Sequence, residues 1–177
     1  MHPKFRSAPV IYLVGFMGCG KSTVGRLLAD RLGWMFVDLD QEIERRSGKT
    51  IDQIFQQHGE MRFRQMERET LLQQMGFARQ GNARVLALGG GAFADPLNRQ
   101  RMEGEGVSVW LKCPVDTLWQ RVSGDTHRPL AQDRGEFDWL YQQRLTYYQG
   151  ADFTIPGDTE GPEEVVGRIL ALPLFRD

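Results

Sequence analysis

The spacing of apolar residues along this chain switches repeatedly between two periods. Short, nearly continuous apolar runs occur five times: Val10–Val14 (VIYLV), a run inside MFVDLD at 35–40, ARVLAL at 83–88, Val107–Lys112 (VSVWLK) and ADFTI at 151–155. Runs of this length, rich in β-branched residues, predict strands covered on both faces. Between them the spacing turns helical. In Lys21–Leu32, Val24, Leu27, Leu28 and Leu32 share one face, Arg26, Asp30 and Arg31 lie off it, and Gly33 follows as a stop. Residues 116–122, 137–149 and 162–172 also pattern as helices. Residues 41–81 hold more helix than one crossover needs, which predicts an inserted helical segment. The stretch SGDTHRPLAQDRG at 123–135 is polar and aperiodic and reads as a mobile surface loop. Strands alternating with helices predict an α/β fold: a five-stranded parallel sheet with helices on both faces.

Composition narrows this picture. A chain of 177 residues, 41% hydrophobic and 25% charged, suits one globular domain with a substantial core, here about 10–172. A net charge of −1 gives no reason to expect nucleic acid or an anionic membrane as partner. No apolar stretch approaches membrane-spanning length, and MHPKFRSAP lacks the apolar core of a signal peptide, so a cytoplasmic protein is expected. Cys19 and Cys113 lie far apart without metal-ligand spacing and read as reduced thiols. His2, His58 and His127 form no recognisable constellation.

The chemistry concentrates where the first strand meets the first helix. Gly15, Gly20, Lys21 and Ser22 satisfy G-x-x-x-x-G-K-[ST] in full, between a strand and an amphipathic helix. Glycines let successive backbone N–H groups turn inward onto phosphate oxygens, and the helix N-terminus beneath adds unpaired donors. Lys21 can reach the β- and γ-phosphates, and the Ser22 hydroxyl is a hard ligand for Mg²⁺. Cys19 sits inside this loop, where a helix N-terminus can activate a thiol; its alkylation is expected to block ATP binding.

In an open parallel sheet, ligands bind beyond the carboxyl ends of the strands. Asp38 and Asp40 stand at the end of the second run, two apart and hence on one side of an extended chain. One could hold metal-bound water and the other accept hydrogen bonds from a hydroxylated substrate; alternatively, Asp40 caps the helix that follows. Gly89, Gly90 and Gly91 end the third run and expose backbone amides. Arg64 could clamp a substrate carboxylate, or merely pair with Glu60 one helical turn before it. Arg128, between His127 and Pro129, either closes over phosphates from its loop or is a solvated cation.

Taken in order, these segments resemble the shikimate kinase family from about residue 10 to 170. GFMGCGKSTVGRLLADRLG resembles its phosphate loop and first helix, and FVDLDQEIERRSGKTI its strand ending in D-x-D. GEMRFRQMERE is similar to the G-E-x-x-F-R-x-x-E signature, LGGGA to the glycine triplet, HRPL to the lid motif, and RLTYYQGAD to the R-x-P-x-Y segment. The resemblance implies a P-loop NTPase fold with a helical substrate-binding insertion at about 41–81 and a lid at about 123–135. It implies a monomeric kinase that uses ATP and Mg²⁺ to phosphorylate a hydroxyl of shikimate, a ring with one carboxylate and three hydroxyls. Gly18, Cys19, Gly20, Lys21, Ser22 and Thr23 would hold the phosphates, with Ser22 and, through water, Asp38 on the metal. Asp40 would bind substrate hydroxyls and accept the proton of the attacked one. Arg64 and Arg144 would clamp the carboxylate beside Gly89–Gly91. Arg128 would close from the lid, and Arg121 would lie near the adenine. Thr146 replaces a frequent proline, which would loosen a helix start, and Ala131 replaces a leucine after R-P-L. Rival readings are another small P-loop kinase, acting on gluconate or a nucleoside monophosphate, and a non-catalytic shikimate-binding module.

Overall fold

The structure, a computed structural model, describes residues 10–124, 133–158 and 161–175. Five strands form one parallel sheet: β1 (Val10–Val14), β2 (Met35–Asp38), β3 (Arg84–Ala87), β4 (Val107–Lys112) and β5 (Phe153–Pro156), in the spatial order β2-β3-β1-β4-β5. β1, β3 and all but the last residue of β4 are buried, as their continuous apolarity requires. The chain leaves β1, adds β2 and β3 on one side of it, then crosses to place β4 and β5 on the other. The carboxyl end of β1 is therefore the switch point, where the neighbouring connections diverge and leave a crevice.

Helices α1 (Lys21–Leu32), α2 (Leu39–Ser47), α3 (Ile51–Arg79), α4 (Pro96–Met102), α5 (Val115–Val122), α6 (Arg134–Tyr148) and α7 (Pro162–Leu170) pack around the sheet. No helix among the described residues is long and apolar enough to cross a membrane. Between β2 and β3 the chain forms two helices, α2 and α3. Thr50 opens α3 with a capping box, its hydroxyl accepting from Gln53 N while the Gln53 side chain accepts from Thr50 N. Gly59, at φ 77° and ψ 172°, breaks α3 into two helical pieces.

Several boundaries differ from the sequence expectation for identifiable reasons. The Asp133 carboxylate accepts from Glu136 N and starts α6 at Arg134, three residues early. Thr146 thus lies in the last turn of α6, so no helix start depends on it. β5 begins two residues late because Ala151 N still bonds the Tyr148 carbonyl and Asp152 is engaged with Ser108. A 3-10 turn at Ala92–Ala94 and α4 were not foreseen; Asp95 caps α4 with Pro96 at its first position. Most of the proposed lid, with Arg128 and Ala131, lies outside the described residues.

Candidate active site

At the switch point the loop after β1 curls beneath the N-terminus of α1. Gly18 (φ 83°) and Gly20 (φ 92°, the α1 N-cap) adopt backbone angles that a side chain resists, which fixes the curl. Lys21 folds back onto this loop: its Nζ donates to the carbonyls of Gly15 (2.8 Å) and Phe16 (3.2 Å). Ser22 Oγ donates to Asp38 Oδ2 at 2.7 Å, placing a hydroxyl and a carboxylate side by side. Arg121 reaches in from α5, donating to Gly18 O at 3.1 Å and Gly157 O at 3.4 Å.

Cys19 needs correction. Its side chain is buried, and a Cβ built on Gly15 would stand 2.7 Å from its sulfur. Its amide donates to Phe16 O at 3.2 Å. The thiol is buried beside the Lys21 ammonium, so the folded chain does not present it for the alkylation expected from the sequence. Cys113 is also buried, and burial pushes its thiol up to about 11.

The D-x-D pair is split by secondary structure rather than shared along one strand. β2 ends at Asp38, and Asp38, not Asp40, caps α2: its Oδ1 accepts from the amides of Asp40 (3.1 Å) and Gln41 (3.2 Å). Asp40 stands in the first turn of α2. A cleft of about 830 Å³ joins it to Lys21, Ser22, Thr23, Arg64, Arg121 and Arg144.

The glycine triplet forms the floor of this cleft, and its bareness has a direct cause. A Cβ on Gly89 would stand 2.5 Å from Asp40 Oδ1, and one on Gly91 would overlap the Arg64 guanidinium. A Cβ on Gly90 would touch Arg144 Nη1 at 3.5 Å. Three charged side chains, from α2, α3 and α6, thus converge on a strip of backbone that only glycine leaves open.

These side chains are unequally satisfied. Arg64 Nη1 donates to Glu67 Oε1 at 2.9 Å, and Glu60 approaches it at 3.5 Å, so both the ion pair and the cleft position coexist. Glu67 was absent from the sequence candidates; it is 1% exposed and holds Arg64 from behind. It is the closing Glu of the G-E-x-x-F-R-x-x-E segment, three residues after Arg64 on the same helical face, and both were available signals. Burial lifts the Glu67 carboxyl above the ordinary range, although Arg64 pulls the other way. Asp40 Oδ1 and Arg144 Nη1 are buried without a hydrogen-bond partner among the described residues. Burial, reinforced by the charge of Asp38 and opposed by Lys21, raises Asp40 to about 6. The cleft therefore offers a phosphate cradle at one end. At the other it offers a carboxylate with a raised pKa and two guanidinium groups along the same strip of glycine backbone.

Comparison with known proteins identifies relatives that match most of this chain. The family model for shikimate kinase matches residues 17–172. The shikimate kinase of Persephonella marina is 43% identical over 161 residues, covering 90% of this chain and 96% of the relative. That of Paramagnetospirillum magneticum is 41% identical over 93% of this chain and 84% of the relative. Among solved structures, Acinetobacter baumannii shikimate kinase in complex with shikimate superposes with TM-score 0.83 at 39% identity, covering 92% of this chain and 90% of that one. A gluconokinase from Sinorhizobium meliloti reaches TM-score 0.56 at 18% identity over 94% and 91%, a likeness of fold alone. With its family model matched almost end to end, the chain belongs to the shikimate kinase family.

Proposed function

We propose that this protein binds ATP and shikimate in the cleft and transfers the γ-phosphoryl group to a shikimate hydroxyl, giving ADP and shikimate 3-phosphate. The observation that carries this reading is the convergence of Asp40, Arg64 and Arg144 on Gly89–Gly91, beside the phosphate loop. A monocarboxylate bearing hydroxyls needs cations for one end and an acceptor for the other, and the cleft supplies both.

The loop amides and Lys21 hold the phosphates; Lys21 must exchange its bonds to Gly15 O and Phe16 O for phosphate oxygens. The Ser22–Asp38 pair fits Mg²⁺, which takes one or two protein oxygens and otherwise water and phosphate. Ser22 would ligate it and Asp38 would hold its water shell; the ion would neutralise charge on the transferring group. Arg64 and Arg144 orient the substrate by its carboxylate. Asp40, ionised in most molecules at pH 7, accepts the hydroxyl proton as the oxygen attacks. Arg121 contributes near the nucleotide, and Arg128 remains the candidate to close over it. The protein acts in the cytoplasm as a monomer on this reading.

Shikimate-dependent ADP release with Mg-ATP tests the proposal, with gluconate and AMP in parallel. Turnover with shikimate alone is expected. Turnover with another acceptor, or ATP binding without turnover, would overturn it.

A further inference from the structure

Tyr148 is the tyrosine of the R-x-P-x-Y segment and has been given no role so far, yet its hydroxyl bonds the middle of the glycine triplet. It is 1% exposed, and its hydroxyl donates to Gly90 O at 3.2 Å. Its ring lies against Trp110 of β4, centroids 6.0 Å apart and planes tilted by 32°. Tyr148 follows Arg144 by four residues in α6, so the two share one helical face. Gly90 lies between them: a Cβ there would stand 3.5 Å from Arg144 Nη1 and 4.0 Å from the Tyr148 hydroxyl. Burial raises the Tyr148 phenol far above its ordinary range, so the hydroxyl is a permanent donor.

We propose that Tyr148 is a positioning residue for substrate binding: its hydroxyl bolts α6 to the glycine triplet and so fixes Arg144 relative to the floor of the acceptor cleft. The physical case is one of register. Arg144 Nη1 has no hydrogen-bond partner among the described residues, so where the guanidinium can reach depends on where α6 is held. The helix is pinned to β4 through the ring of Tyr148 and to Gly90 through its hydroxyl. Phenylalanine keeps the ring packing and removes the bolt alone. The role rests on the proposed shikimate-binding reading and concerns binding of the acceptor only. The phosphate cradle on β1 and α1 does not depend on this bond.

The experiment is steady-state kinetics of the whole protein and of Tyr148→Phe, varying shikimate and Mg-ATP separately, with melting temperatures. Loss of one neutral hydrogen bond predicts a rise in KM for shikimate of about five- to tenfold. KM for Mg-ATP and kcat at saturating shikimate should stay within about twofold. In the double variant with Arg144→Ala, the Tyr148→Phe change should add little, since its effect runs through Arg144. An unchanged KM for shikimate, additive effects in the double variant, or equal losses for both substrates with a large fall in melting temperature would overturn the role. Wild-type protein inert towards shikimate would overturn the activity itself and the role with it. An active wild type whose variant keeps its KM overturns the role alone.

Discussion

Asp40 combines a cost to the fold with a proposed use in the reaction. Its folded-state value near 6 lies above the ordinary 3.8, so the folded chain binds this proton more tightly than the unfolded chain does. The resulting destabilisation is absent below about pH 4, grows as pH rises, and is complete above about 6. Asp40→Asn should therefore raise the melting temperature at pH 7 by a few degrees, at roughly 2–4 °C per kcal/mol, while abolishing turnover. The same value predicts the acid limb of kcat/KM: a base must be ionised, so activity should fall about tenfold per unit below pH 6. An acid limb near pH 4, or an Asp40→Asn protein that turns over, would remove Asp40 as the base. Arg144 makes the complementary case. Removing a charged partner for the carboxylate is worth about 1.5–3 kcal/mol, so Arg144→Ala should raise KM for shikimate roughly 10- to 100-fold and leave KM for ATP unchanged. Equal losses for both ligands would mark a folding defect instead.

Elements rather than single residues explain what the sequence made legible. The strand–loop–helix from Val10 to Leu32 could be read directly because spacing, glycine chemistry and helix patterning all act within neighbouring turns. The Asp38–Asp40 geometry could not, because where a strand stops and a helix starts depends on which carboxylate captures the free amides. Glu67 and Tyr148 stood in the G-E-x-x-F-R-x-x-E and R-x-P-x-Y segments, but their roles could not be read there: Glu67 backs Arg64 on its own helix, Tyr148 bonds the distant Gly90, and helical patterning alone makes both look like ordinary packing. α4 was missed because its seven residues are too short for periodicity to register. The glycine triplet yielded half its meaning, since loops collect glycines and only folding shows which side chains approach them. Gly91→Ala tests that meaning. Its φ of −102° suits alanine, and the overlap falls on the movable end of Arg64 rather than on backbone. The variant should melt within a few degrees of wild type yet bind shikimate markedly more weakly, measured by calorimetry beside ATP; unchanged affinity would show that Arg64 has room to spare.

Across the whole molecule, the sheet order divides labour between two sides of one strand. β1 delivers the phosphate loop at its carboxyl end; β2 and β3 on one flank bring the D-x-D pair and the glycine floor, and β4 on the other supports Tyr148 through Trp110. The proposed acceptor site is thus assembled from the consecutive helices α2 and α3 and from α6, which comes much later in the chain, whereas the core of the phosphate cradle is one continuous stretch from β1 to α1. This has a consequence for how the folded chain breathes. A ligand that bridges three separately anchored helices suppresses any opening that moves one of them alone. Shikimate should therefore slow amide hydrogen exchange in α2, in the second piece of α3 and in α6 together. ATP alone should protect the loop after β1 and the first turn of α1. Protection by shikimate confined to a single helix would mean that the three charges do not grip the same molecule.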